Sequence, residues 1–279
     1  MTFRADLHCH TTCSDGTLTP EELIRLAVQT GLQGISITDH DTIAAYDLLK
    51  LKESPIPVLP GAEFSAVHKD ISIHILAYAF PLQSRIIRSF SDRHLARRIE
   101  RNEAIYSLLR KHKMPLEEAD LLKICKGMPG RPHIAQTMVN KGYVSSVEEA
   151  FKKFLGEGKS CYYPGERISV EETLEILQSA GAISVIAHPH LIKQRKIIRQ
   201  LLEMDFDGIE AYYARFSGND EKKWVHVAQE KGWIITGGSD FHGEIKPQNP
   251  LGSSWVPKET FEILWNHYQR SRKEITSAS

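Results

Sequence analysis

At 279 residues the chain has room for one large domain, or for a domain carrying a sizeable insertion. Its 41% apolar and 25% charged residues are ordinary for a globular protein, and no apolar run approaches the ~20 residues of a membrane-crossing helix. Basic and acidic residues balance at 35 each, which excludes bulk attraction for long nucleic acid, so local groups must capture any charged substrate.

The N-terminal segment, Met1-Thr2-Phe3-Arg4-Ala5-Asp6, has no apolar stretch of the secretory kind. The four cysteines (Cys9, Cys13, Cys125, Cys161) show no Cys-x-x-Cys spacing. A cytoplasmic protein with reduced thiols and no membrane association is the expectation. Residues 4–7 read as a strand running into the polar segment His8-Cys9-His10. A helix follows, with Thr19 as N-cap, Pro20 at its first position and Glu22 completing a capping box. Leu23, Ile24, Leu26 and Ala27 form its apolar face, and Gly31 ends it. Residues 34–38 form the next strand, with a short helix from about Thr42. Further strands are expected at 58–59, 71–78, 183–187, 208–212 and 233–236, with helices at 201–204 and 224–231 between the last three. Strand then helix, repeated, specifies a mostly parallel sheet or a β/α barrel. From about Ser84 to Gly165 the pattern is helical. Residues 85–113 are markedly basic, which reads either as a solvated helix face or as a surface that gathers polyanions.

Thirteen histidines matter here less by number than by position. His8 and His10, two apart on an extended segment, share a face, and Asp15 follows in the same loop. The second strand ends in Asp39-His40-Asp41 and the third in Gly61-Ala62-Glu63. Ile73-His74-Ile75 sets a histidine among alternating apolar residues. Later come His188-Pro189-His190, Glu210 and Asp240-Phe241-His242. In a β/α barrel the strand C-termini converge on one mouth, so six such ends collect the chemistry-bearing groups in one pocket. Imidazole with carboxylate and no thiolate suits Zn, Mn or Fe, and the number of groups points to two or three divalent ions sharing a bridging carboxylate. Asp39 and Asp41 are expected to orient His40 or cap the next helix.

His8-Cys9-His10, Thr38-Asp39-His40, Gly61-Ala62-Glu63, Ala187-His188-Pro189 and Gly238-Ser239-Asp240-Phe241-His242 resemble the PHP (polymerase and histidinol phosphatase) family over nearly the whole chain. The resemblance implies a distorted (β/α)7 barrel of the amidohydrolase-like kind. Residues 1–83 and 166–279 would form the barrel, and 84–165 a helical insertion serving as a substrate-binding lid. Gly130-Arg131-Pro132-His133-Ile134-Ala135 and Thr236-Gly237-Gly238-Ser239-Asp240-Phe241-His242-Gly243 look like the branch that removes the 3′-phosphate of nucleoside 3′,5′-bisphosphates and trims short RNA from its 5′ end.

Carried over residue by residue, the resemblance implies three metal positions. The first is held by His8, His10, Glu63 and Asp240, the second by Glu63, His74 and His188, and the third by Asp15, His40 and His242. It makes Arg131, Lys159 and a basic group near His188 the grip on substrate phosphate, with His133 adding a hydrogen bond. Family members often carry an arginine closely after His-Pro; here the sequence continues His190-Leu191, leaving Lys193 or Arg195 for that role. The mechanism expected is in-line attack by a metal-bridging hydroxide, with Glu63, Asp240 and Arg131 catalytic and His190 or His133 protonating the leaving oxygen. Other readings are a phosphatase for a different small phosphorylated metabolite, such as histidinol phosphate, and a regulatory metal-binding module without turnover.

Overall fold

The computed structural model describes residues 2–125, 128–216 and 218–277. Seven strands pair in chain order within one sheet. Ala5–Cys9 (β1), Gly34–Ile37 (β2) and Val58–His68 (β3) run parallel, and Ile71–Tyr78 (β4) turns back antiparallel on β3. Ile183–Ile186 (β5) is antiparallel to β4, so it regains the original direction; Gly208–Tyr213 (β6) and Ile234–Gly238 (β7) continue parallel to it. Just past β7, Phe241 bridges Cys9, and the His10 N–H donates to the Phe241 carbonyl at 2.8 Å. That pairing nearly closes the sheet into a barrel. Gly238 makes it possible, since a Cβ there would lie 2.4 Å from the His8 nitrogen.

Six strands thus converge as the sequence suggests, and β4 opposes them. Only Lys69 and Asp70 separate it from β3, too few for a parallel crossover. Both adopt left-handed φ, +47° and +67°, the backbone of a two-residue turn that matches strand twist. Consequently β3 extends well past Glu63, and β4 delivers His74 from its N-terminal half.

The helix Pro20–Gln29 (α1) carries the expected box: the Glu22 N–H donates to Thr19 Oγ1 at 3.3 Å, and the Thr19 N–H to Glu22 Oε2 at 2.8 Å. Ala45–Leu48 (α2) follows β2. Between β4 and β5 lie Arg85–Lys111 (α3), Glu118–Leu121 (α4), Arg131–Asn140 (α5), Val147–Ala150 (α6) and Val170–Ser179 (α7). Arg195–Leu202 (α8), Gly218–Lys231 (α9) and Lys258–Ser277 (α10) complete the chain.

Leu7, Leu59, Leu76, Tyr78, Val185 and Ala187 fill the barrel interior, joined by Phe261 and Leu264 of α10. The Tyr78 hydroxyl, buried among them, donates to the Leu7 carbonyl at 2.8 Å. A separate apolar cluster (Ile105, Leu109, Ile134, Met138, Leu155) lets the segment between β4 and β5 hold its own shape. Each such buried side chain contributes roughly 1.5–3 kcal/mol. Among the described residues, no helix is long and apolar enough to cross a membrane.

Candidate metal centre

The β1–β2 register slips between Asp6 and Cys9. Leu7 packs in the barrel interior, Cys9 packs outside it, and His8 and His10 point into the mouth. There they meet Glu63, which is fully buried. Glu63 Oε2 lies 3.3 Å from His8 Nε2, 3.2 Å from His10 Nε2 and 3.1 Å from His40 Nδ1. Its other oxygen, Oε1, lies 2.8 Å from His74 Nδ1 and 2.8 Å from His188 Nε2. Asp240 brings Oδ1 to 3.6 Å from His8 and 3.4 Å from His10. Asp15 stands 3.3 Å from His242 Nε2 and 3.7 Å from His40 Nε2.

All nine residues singled out as ligands therefore meet in one cluster. Three sets place their donor atoms within 4.8 Å of one another: His8, His10, Glu63 and Asp240; His40, Glu63 and His74; and His10, Asp15, His40 and His242. The first matches the expected grouping. In the others His40 faces two ways, Nδ1 towards Glu63 and Nε2 towards Asp15, while His188 joins through Glu63 Oε1 alone.

A cation fits this arrangement. Nε2 of His8, His10 and His242, Nδ1 of His40 and Oε2 of Glu63 are buried without a hydrogen-bond partner among the described residues. Buried polar atoms left this way cost about 1–3 kcal/mol each, so several aimed at one space call for a bound ion. Burial pushes the carboxyls of Glu63, Asp15 and Asp240 towards protonation, but the surrounding imidazoles prevail and hold all three well below the usual carboxylate range. His10 is opposed by burial too, yet Asp240 and Glu63 lift it to about 9, whereas burial takes His40 down to about 3. Divalent ions would take over the charge that protons on His8 and His10 otherwise balance.

Outside the cluster, Glu210 is fully buried and accepts from His8 Nδ1 at 2.8 Å and from the His188 N–H at 2.6 Å. This turns His8 Nε2 inward and holds His188 at its unusual φ of +26°. Asp39 and Asp41 do other work than orienting His40 or capping a helix. Asp39 accepts from the Thr11 N–H at 2.7 Å and from the Thr11 and Ser14 hydroxyls, ordering the loop that carries Asp15. Asp41, at φ +61°, accepts from the Ser65 N–H at 2.6 Å and from Arg98 Nε at 2.7 Å, with His94 Nδ1 at 3.2 Å. It ties α3 to the barrel.

A cavity of about 460 Å³ opens beside Asp15, His40 and His74, walled by Arg97, Arg98, Arg101, Arg131 and Tyr162. Burial and the neighbouring Arg98 and Arg131 bring Arg101 down to about 9, the mark of guanidinium groups crowded without enough anions. Arg131 lies over the Tyr162 ring at 5.7 Å. His133 faces its own helix, with Nδ1 accepting from the Gly130 N–H at 3.1 Å. Lys159 and Arg195 are exposed and do not line the cavity. His190 also lies outside it, packed against Tyr213 at 4.5 Å between ring centroids, and burial lowers it to about 4.

The description "PHP domain" matches residues 6–164, more than half of the chain. The chain belongs to the PHP family. It is a metal-dependent phosphoester hydrolase. This PHP chain is 31% identical to the 5′-3′ exoribonuclease Rnm of Escherichia coli, covering 95% of this chain and 94% of that protein. It is 29% identical to a 3′,5′-nucleoside bisphosphate phosphatase of Chromobacterium violaceum, covering 85% and 86%. A solved Bifidobacterium adolescentis structure, provisionally named a metal-dependent phosphoesterase, superposes with a TM-score of 0.82 at 29% identity, covering 94% and 96%.

Two groups at the PHP site escape a sequence reading, and a third falls within the basic 85–113 stretch without being singled out there. Lys246 places Nζ 2.8 Å from Asp240 Oδ2, and Tyr213 donates its hydroxyl to that same oxygen at 2.8 Å. Neither stands in a recognisable pattern. The third group, Arg97, Arg98 and Arg101, did carry a signal. With His94 these residues fall at i, i+3, i+4 and i+7, one face of a helix.

Proposed function

We propose that this PHP phosphoesterase removes the 3′-phosphate of nucleoside 3′,5′-bisphosphates and trims short RNA from its 5′ end. One observation carries the reading: an arginine-walled cavity of nucleotide size opens onto the histidine–carboxylate cluster. A substrate with a second phosphate puts that group among the arginines while the scissile one reaches the cluster. A single-phosphate metabolite such as histidinol phosphate leaves Arg101 and Arg131 without a second anion, whereas Arg97 and Arg98 already pair with Asp41. The names of the E. coli and C. violaceum relatives agree with this choice.

The cofactors are two or three divalent ions, Mn, Fe or Zn, held by His8, His10, Asp15, His40, Glu63, His74, His188, Asp240 and His242. Bound there, such ions lower the pKa of water from 15.7 to about 7 and neutralise phosphoryl oxygens. Glu63 would serve two of these positions, since its two oxygens face different imidazoles. Arg131 holds non-bridging phosphate oxygens, where the planar guanidinium gives paired hydrogen bonds. Donors of this kind are worth about 3–4 kcal/mol in the transition state. His190 and His133 are the candidate proton donors to the leaving ribose oxygen, and burial lowers both imidazoles. Residues 84–165 act as the substrate-binding lid, because Arg131 and Tyr162 wall the cavity from that segment.

A panel of phosphate esters ranked by kcat/KM tests the reading. Nucleoside 3′,5′-bisphosphates and short 5′-phosphorylated RNA should lead. A single-phosphate metabolite at the top would overturn it.

A further inference from the structure

Four of the basic residues of α3 are met by carboxylates of other segments. Arg88 pairs with Asp47, Arg93 with Glu166 and Glu172, and Arg97 and Arg98 with Asp41. A different run of cations has no such partners. From Ala187 to Leu202 the chain carries Lys193, Arg195, Lys196 and Arg199 and no Asp or Glu. All four are exposed, as is Arg215 in the next β–α loop. Among the described residues, none of the five has a carboxylate partner. Three cations at or before the first turn of α8 also oppose the helix dipole, which favours anions there. The sequence breaks a local stability rule at the mouth side of the barrel, where β5 and β6 end.

Between these cations and the metal centre sits an aromatic group. His190 packs against Phe216 at 4.3 Å and Tyr213 at 4.5 Å between ring centroids, and Tyr213 reaches Asp240 by its hydroxyl. His190 and Phe216 are only half-buried. Unpaired cations beside partly open rings are what single-stranded nucleic acid binds, phosphates on the former and bases on the latter.

We propose that the β5–α8 loop, the exposed residues of α8 and the β6–α9 loop form a track for the RNA nucleotides beyond the one held in the cavity. Lys193, Arg195, Lys196, Arg199 and Arg215 bind successive phosphates, and Phe216 with His190 stacks a base. The proposal rests on the nucleotide reading above and adds how the oligonucleotide substrate is distinguished from the mononucleotide.

The test compares kcat/KM on a nucleoside 3′,5′-bisphosphate and on a short 5′-phosphorylated RNA, for wild type, a Lys196→Ser/Arg199→Ser/Arg215→Ser variant and Phe216→Leu. With three phosphate contacts removed at about 0.7 each, the triple variant should flatten the log–log salt slope for RNA by about 2. RNA turnover should fall about tenfold in each variant, with bisphosphate turnover within about twofold of wild type. RNA turnover and salt slope unchanged in both variants would overturn the track, as would equal losses on both substrates. Wild type that cleaves the bisphosphate but no RNA overturns the track and leaves the phosphatase reading standing. Turnover of neither substrate overturns the nucleotide reading, and the track with it.

Discussion

His8 donates from Nδ1 to Glu210 Oε1 at 2.8 Å, and both side chains are sealed from solvent. The bond fixes which ring nitrogen faces Glu63, so a residue outside the cluster sets the geometry within it. Glu210→Gln should leave the fold intact and weaken metal binding about 10–100-fold, because outer partners of metal-bound imidazole carry that much affinity. Titrating the metal-free variant with Mn while following activity would show it. An unchanged metal requirement would remove Glu210 from the account.

Asp41 joins α3 to the barrel, and its charge state sets an acid limit. Burial raises its carboxyl, but Arg98, His94 and Arg97 outweigh this and hold it well below the usual carboxylate range. A lowered folded value means the unfolded chain takes up the proton first. The contribution is therefore complete above about pH 4 and is lost as pH falls below it. Asp41→Asn should cost about 3 kcal/mol near neutral pH by leaving Arg98 unpaired. The gap from wild type should narrow on acidification. Thermal melts across pH 3–7 would reveal a gap independent of pH if the pairing has no such role.

Of the two residues expected to grip phosphate from the 84–165 segment, Arg131 lines the cavity and Lys159 does not. Arg131→Lys keeps the charge but loses the fork and the contact with Tyr162, so kcat/KM on a nucleoside bisphosphate should drop about 10–100-fold. Lys159→Ala, outside the cavity wall, should stay within about threefold, the range of a solvated surface charge. Steady-state kinetics on the two variants would detect a reversed order.

What the sequence made legible follows from periodicity. The Thr19 cap, the six parallel strands and the ligand residues at their ends are local patterns, and two-residue spacing alone puts His8 and His10 on one face. The reversed direction of β4 depends on the two-residue turn at Lys69 and Asp70, hidden because strand β3 seemed to end at Glu63. Asp41 could not be assigned from its neighbours, since its partners His94 and Arg98 arrive from a helix more than fifty residues later. Long-range charge pairing has no period to read. Lys246 reaches Asp240 from only six residues away, but across an irregular loop that likewise has no period.

Everything turns on Glu63 joining separate imidazoles into one metal-binding unit. Elemental analysis of wild type and Glu63→Gln, purified alike and loaded with Mn, measures this directly. About two or three ions per wild-type chain are expected and at most one in the variant, with far-UV circular dichroism unchanged. Equal metal content in the two proteins, or none in wild type, would contradict it.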